Sequence, residues 1–457
     1  SYIQSTIQSF HIFRIKRNMM RLNCPAQSYA WGKYGENSLV ASLKRKSDSS
    51  FEVSESKPYA ELWMGTHPNG PATISSTNTP LKEWLRENSQ AVGRVPERYS
   101  SDDLPFLFKV LSVRTALSIQ SHPDIPLAKQ LHATQPQHYK DANHKPEMSV
   151  VLTPFEAMCG FRPLREVRHH LSVYPELAEI VGEDVSARFL ASNLDDKDDD
   201  SDANRALLKD IFSAFMRAPD DLVTPLLEKL TSRLGTTNTT SDATEVYSSR
   251  STQEELQKVD ALILRLHTDF PSDRGALCPL LLNYIELQPG EAFFMGANEP
   301  HAYIYGDCVE CMALSDNTVR AGLTPKHKDI ETLVEMLHYR SGGAPACHML
   351  QPRHVDDCTV LYRPPAEVCS EFEVERSTVP AGSTYALPVY NCGSIAIVVS
   401  GNGKLSTTSG DTLTSSDAPT GSIFFIPASS EVRVESAPCA NSECVVVYRA
   451  HVNLQFL

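Results

Sequence analysis

Side chains of the metal-binding kind fall on segments of this chain that carry the two-residue repeat of a β-strand. In ALSIQSHPD, which begins at Ala116, the alternation puts Ala116, Ser118, Gln120 and His122 on one side. In NHKPEMSVVLT, Lys145, Glu147, Ser149 and Val151 share a side, and Met148, Val150 and Leu152 take the other. Farther on, EPHAYI places His301 and Tyr303 on a common face. If these segments meet in one sheet, Gln120, His122, Glu147 and His301 surround a single cation. Nitrogen and oxygen donors of this kind suit Zn²⁺ first, and Mn²⁺, Fe²⁺ or Co²⁺ as well. With few anionic ligands the ion stays strongly Lewis-acidic and can polarise a carbonyl or hydroxyl oxygen.

Taken singly, each histidine also fits a hydrogen-bonded core or turn residue. Concurrence favours the site, because every candidate sits on a strand-like segment beside polar neighbours that a plain core would waste.

The elements that must position these residues are mainly β. From Leu22 onward, short apolar stretches are broken by Gly, Pro and Asn, with QSYAWGKYG and AELWMGTHPNGPA as turn-rich landmarks. Trp31 and Trp63 are assigned to packing ahead of a ligand platform, and His67 to a loop. LPFLFKVLSV sets Lys109 in the alternation of Leu107 and Leu111, where a lysine either snorkels to solvent or faces an anion pocket. Beyond Pro163 the spacing turns helical, with acidic or Ser/Thr-rich breaks at LDDKDDDSD and TTNTTSDAT. The adjacent His169 and His170 cannot share a helix face.

β texture returns before His301, and the tail alternates through short strands that suggest a second antiparallel sandwich or barrel with few ligand-type residues. The expected organisation is an N-terminal extension over 1–20, a catalytic β domain from 21–164 and 271–341, a helical insertion over 165–270 and a C-terminal β domain over 342–457. Residues 1–20 include Arg14, Lys16 and Arg17 but no acid, a composition compatible with a transit peptide.

A formal charge of −14 over 457 residues argues against nucleic acid as the main partner. No apolar run reaches the ~18 residues of a membrane span. Eleven cysteines at irregular spacings, of which Cys308 and Cys311 in CVEC come nearest to a zinc-ribbon or redox pair, read as thiols in a reducing compartment. A cytoplasmic monomer with a small-molecule substrate is expected.

ALSIQSHPD, HKPEM, FEAMCGFRP and PHAYIYGDCVECMALSDNTVRAGLTPKHKD, with YAWGKYG and PYAELWMGTHPNGPA nearer the start, resemble the type I phosphomannose isomerases. The resemblance covers nearly the whole chain from Leu22. It implies a cupin-type β-barrel or jelly-roll catalytic domain with a helical insertion, a second cupin-like domain, one zinc ion per chain, and interconversion of mannose 6-phosphate and fructose 6-phosphate. By motif, the family's zinc ligands fall on Gln120, His122, Glu147 and His301, and its catalytic arginine on Arg320. Neighbouring active-site positions fall on Ser118, Lys145, Tyr303, Glu310, Asp316 and Lys326.

Such a reaction removes a proton at C2, passes through an enediol and returns a proton at C1. The developing oxyanion must be stabilised as it forms, which Arg320 and Lys145 can do beside the metal. The candidates for the base are, in order, Glu310, Asp316 and His144, the last also for opening the sugar ring. Without a Gly-rich cradle, phosphate capture is assigned to side chains: Ser118, Lys109 and Lys326, with Tyr303 on the substrate. Two rivals remain: a non-catalytic sugar-phosphate-binding protein that keeps the pocket, and an iron-dependent oxygenase, against which Gln120 and the basic pocket speak.

Overall fold

The computed structural model describes residues 18–194, 200–237, 250–343, 348–409, 412–438 and 444–456. Residues 1–17 of the expected extension, most of the acidic break and most of the Ser/Thr-rich break lie outside them.

Strand Phe106–Val113 is buried along its whole length, and its two faces serve different purposes. Phe106, Phe108 and Val110 pack with Val309 and Cys311 of strand His301–Ala313 and with Met148 and Val150 of strand Glu147–Val151 in one apolar cluster. The opposite face is polar at its centre. Trp63, Lys109, Glu310 and Ser149 are successive cross-strand partners, so they form a row across four strands. Strand periodicity thus divides a single sequence run between core and site, as the alternation of Met148 and Glu147 requires.

Among the described residues these strands belong to an eleven-stranded sheet, and an eight-stranded sheet lies against its apolar face. The shared cluster takes Val374, Ile395, Ile397, Phe425 and Tyr448 from the second sheet. Each such side chain contributes about 1.5–3 kcal/mol when fully buried. Ala396 and Val398 point the other way, into a further cluster with Leu405 and Val434 of a four-stranded sheet. The strand order of neither large sheet closes on itself, so stacked open sheets stand where a barrel was expected. Strands Met20–Asn23 and Thr73–Ile74, from the start of the chain, complete the sheet built by the C-terminal strands.

Helices Leu164–Val173, Pro175–Val181, Glu183–Ala191, Asp202–Arg217, Asp220–Thr237 and Arg250–Asp269 form the insertion. Ser201 caps one of them by accepting from the Asn204 amide. Their apolar stripes, with Phe212, Phe215, Leu227 and Ile263, share a cluster with Ile119, Ala302, Ile304 and Val319 of the first sheet. The helices therefore buttress the strands that carry Gln120, His301 and Arg320.

Strand His301–Ala313 changes partners midway. Its first residues pair with Phe155–Phe161 and Ile119–Ser121, and from Gly306 it pairs with Phe106–Val113. Gly306 has φ +116°, and a Cβ there would stand 2.6 Å from the Pro154 carbonyl oxygen, so only glycine fits the bend. Among the described residues no helix is long and apolar enough to cross a membrane.

Candidate metal centre and its cavity

Gln120 is the cross-strand partner of His301 on one side and of Arg320 on the other. Facing residues in paired strands project to the same side, so these three positions address one space. The bend at Gly306 brings Glu147 to it from another strand: its Oε2 lies 3.2 Å from His301 Nε2 and 3.4 Å from His122 Nε2. The His122 and His301 ring centroids are 5.1 Å apart.

The outer contacts of each imidazole decide what its inner nitrogen does. His122 Nδ1 lies 2.7 Å from the Asn317 carbonyl oxygen and His301 Nδ1 3.0 Å from that of Glu299. A carbonyl only accepts, so both Nδ1 atoms carry the proton and both Nε2 atoms present lone pairs. His122 Nε2 is buried without a hydrogen-bond partner. Burial pushes the His122 imidazole down to about 4, so it is neutral at pH 7. Burial alone would raise the Glu147 carboxyl, but Lys145, 2.7 Å from Oε1, and His122 outweigh it and hold it well below the usual range. Two lone pairs and a carboxylate oxygen therefore converge with no proton between them, an arrangement a bound cation relieves. Such a group fits the residues present.

Gln120, Glu147 and His301 open onto a cavity of about 930 Å³ that also receives Ser118, Lys109, Lys145, Tyr303, Glu310, Asp316, Arg320 and Lys326. Lys109 Nζ is 3.0 Å from Glu310 and 3.9 Å from Glu61, all three residues being buried. Burial would lower this ammonium, but Glu310 and Glu61 outweigh it and raise it. Burial raises the Glu310 carboxyl, with Lys109 opposing. Tyr303 is buried and its oxygen accepts from the Ser149 hydroxyl at 2.9 Å. Burial lowers the Arg320 guanidinium from a value far above neutrality, so it stays charged. Asp316 and Lys326 are exposed at the rim, and Ser118 Oγ donates to Gln120 Oε1 at 3.3 Å.

His144 is the expected catalytic residue that the structure keeps out of this cavity. Its Nε2 lies 2.6 Å from Glu371, and it lines a different cavity with Arg98 and Ser370. Lys145 precedes Pro146 and is thereby extended, so neighbours His144 and Lys145 face opposite ways.

Other residues join the wall unannounced. His67 is buried with Nε2 3.5 Å from Asp316, and its ring meets Trp63 edge-on at 5.0 Å. Trp31 and Trp63, assigned above to packing, both line the cavity. The alternation of AELWMG would have paired Glu61 with Trp63, whereas no local pattern marks His67.

Three family models match the chain: the type I phosphomannose isomerase catalytic domain over residues 19–164, its helical insertion domain over 180–282 and its C-terminal part over 359–410. Mannose-6-phosphate isomerase 1 of Arabidopsis thaliana is 38% identical over 448 residues, 97% of this chain and 96% of its own length. The Homo sapiens mannose-6-phosphate isomerase is 41% identical over 419 residues, 91% and 94% of the two chains. Among solved structures, a variant of phosphomannose isomerase from Salmonella typhimurium superposes with TM-score 0.74 at 26% identity, covering 95% of this chain and 100% of that one. A mannose 6-phosphate isomerase bound with zinc and yttrium gives TM-score 0.73 at 26% identity with the same coverage.

Proposed function

Because the chain belongs to the type I phosphomannose isomerases, we propose that it interconverts mannose 6-phosphate and fructose 6-phosphate by proton transfer through an enediol. The observation that carries the reading is the convergence of His122, Glu147 and His301 on one point that also faces a cavity holding Arg320 and Lys145.

His122, Glu147 and His301, with Gln120 as the fourth donor, would hold one divalent cation, zinc first. That ion supplies Lewis-acid polarisation of sugar oxygens when bound. Arg320 stays charged where burial strengthens its field on a developing oxyanion. Lys145 adds a second cation beside Glu147. Glu310 is the leading base, since a carboxyl raised by burial can take a proton near neutrality, with Asp316 second. Ser118 and Lys326 take the phosphate, joined by Lys109, whose ammonium keeps donors beyond the one spent on Glu310; Tyr303 orients the sugar.

Cupin-type architecture for both β regions and the domain limits stated above form part of the proposal, as does a cytoplasmic monomer without nucleic-acid or membrane partners. Every described cysteine is a free thiol, which favours a reducing compartment. The test is conversion of mannose 6-phosphate before chelation, after exhaustive chelation and after zinc is restored. Activity should vanish and return; turnover indifferent to chelation refutes the metal's part, and no turnover by metal-replete protein refutes the isomerase.

A further inference from the structure

We infer that Glu371, in the C-terminal region expected to hold few ligand-type residues, is a positioning residue that holds Lys145 in the cavity. The inference rests on the isomerase reading.

Glu371 is fully buried, and its Oε1 accepts from the Tyr99 hydroxyl at 2.6 Å, from His144 Nε2 at 2.6 Å and from the Arg98 guanidinium. These donors come from more than two hundred residues earlier in the chain. A buried carboxylate is tolerated only when donors satisfy it, and charge-assisted bonds of this kind are the strong ones. With His144 anchored on one side of the extended segment, Lys145 is directed to the other, where its Nζ meets Glu147 at 2.7 Å. The segment is fixed at its preceding residue as well. Asn143 Nδ2 donates to the Tyr99 oxygen at 3.1 Å and to the Leu314 carbonyl at 3.2 Å, while its own carbonyl accepts from Ser315 and Asn317. The C-terminal region thus reaches the reacting cavity through one carboxylate and a two-residue lever.

The experiment uses the full-length, zinc-loaded protein, with kcat, KM and zinc content measured for Glu371→Gln, Tyr99→Phe and each of these combined with Lys145→Met. Partners of this kind cost about 10–100-fold in activity when altered. Glu371→Gln should lower kcat about tenfold, with KM within about twofold and zinc stoichiometric. In the Lys145→Met background the same change should cost less than about threefold, because a lever matters only while it carries its load. Tyr99→Phe tests the same anchor through one donor if Glu371→Gln does not fold, and it should show the same non-additivity. Full activity of the folded variants overturns the inference, as does a loss equally large with Lys145 absent. An inactive wild type would overturn the isomerase reading itself, whereas an active wild type beside indifferent variants removes only the role of Glu371.

Discussion

Lys109→Met removes the cation that makes a buried Glu310 tolerable. In the wild type, Lys109 Nζ lies 3.0 Å from Glu310 and 3.9 Å from Glu61, and 5.4 Å from the centre of the Trp63 ring. Glu310 is 3% exposed and Glu61 7% exposed, so both carboxylates are poorly solvated when the ammonium is lost. Breaking one half of a buried pair costs about 3–5 kcal/mol. The Trp63 contact adds up to about 2 kcal/mol where desolvated. A loss near 4 kcal/mol is a large part of the ~5–15 kcal/mol that holds a typical fold.

Neutralising the nearer partner as well, as Lys109→Met with Glu310→Gln, leaves Glu61 but removes the closer of the two orphaned charges, and should recover at least about 2 kcal/mol of that loss. The assay is urea unfolding of Lys109→Met, Glu310→Gln, the double variant and the wild type, read as midpoint shifts at constant slope. pH supplies a second axis. Burial raises Glu310 above its unfolded value, so the stability linked to its protonation is full below the unfolded pKa of ~4.3 and is lost as pH rises through the folded one. Lys109 opposes that rise, so the deficit of Lys109→Met relative to wild type should grow from about pH 4.3 upward. A deficit under about 1 kcal/mol, or a double variant no better than the single one, would show that the pair is solvated. Glu310 would then lose the desolvation that qualifies it as a base.

Arg320→Ala should lower kcat about 10²–10³-fold, as loss of an oxyanion donor does, while zinc content by atomic absorption stays near one per chain; a metal-free variant would reassign Arg320 to structure. Glu310→Gln should slow deuterium uptake from solvent at C2 and C1 by about 10²–10⁴-fold, and unchanged exchange would pass the base to Asp316. Gly306→Ala puts a Cβ 2.6 Å from the Pro154 oxygen at φ +116°, so it should cost at least about 2 kcal/mol in the same urea assay. A neutral result there would mean that the bend can relax without losing the register that joins His301 to Glu147.

What the sequence determined on its own is what depends on local period. Alternation by two already put Gln120 with His122, Glu147 with Ser149, and Lys109 with Leu107, and the 3.6-residue spacing beyond Pro163 marked the inserted helices. Such patterns survive because a strand or helix orients its own side chains whatever it later packs against. Tertiary structure decided the rest, since it concerns partners far apart in the chain: Lys109 against Glu310, His67 against Asp316, and Met20–Asn23 in the C-terminal sheet. It also turned His144 away from the cavity of Lys145 and onto Glu371, for an extended segment specifies that neighbours oppose each other but not which of them faces that cavity. That choice belongs to whichever buried group is waiting on either side, and no local repeat encodes it.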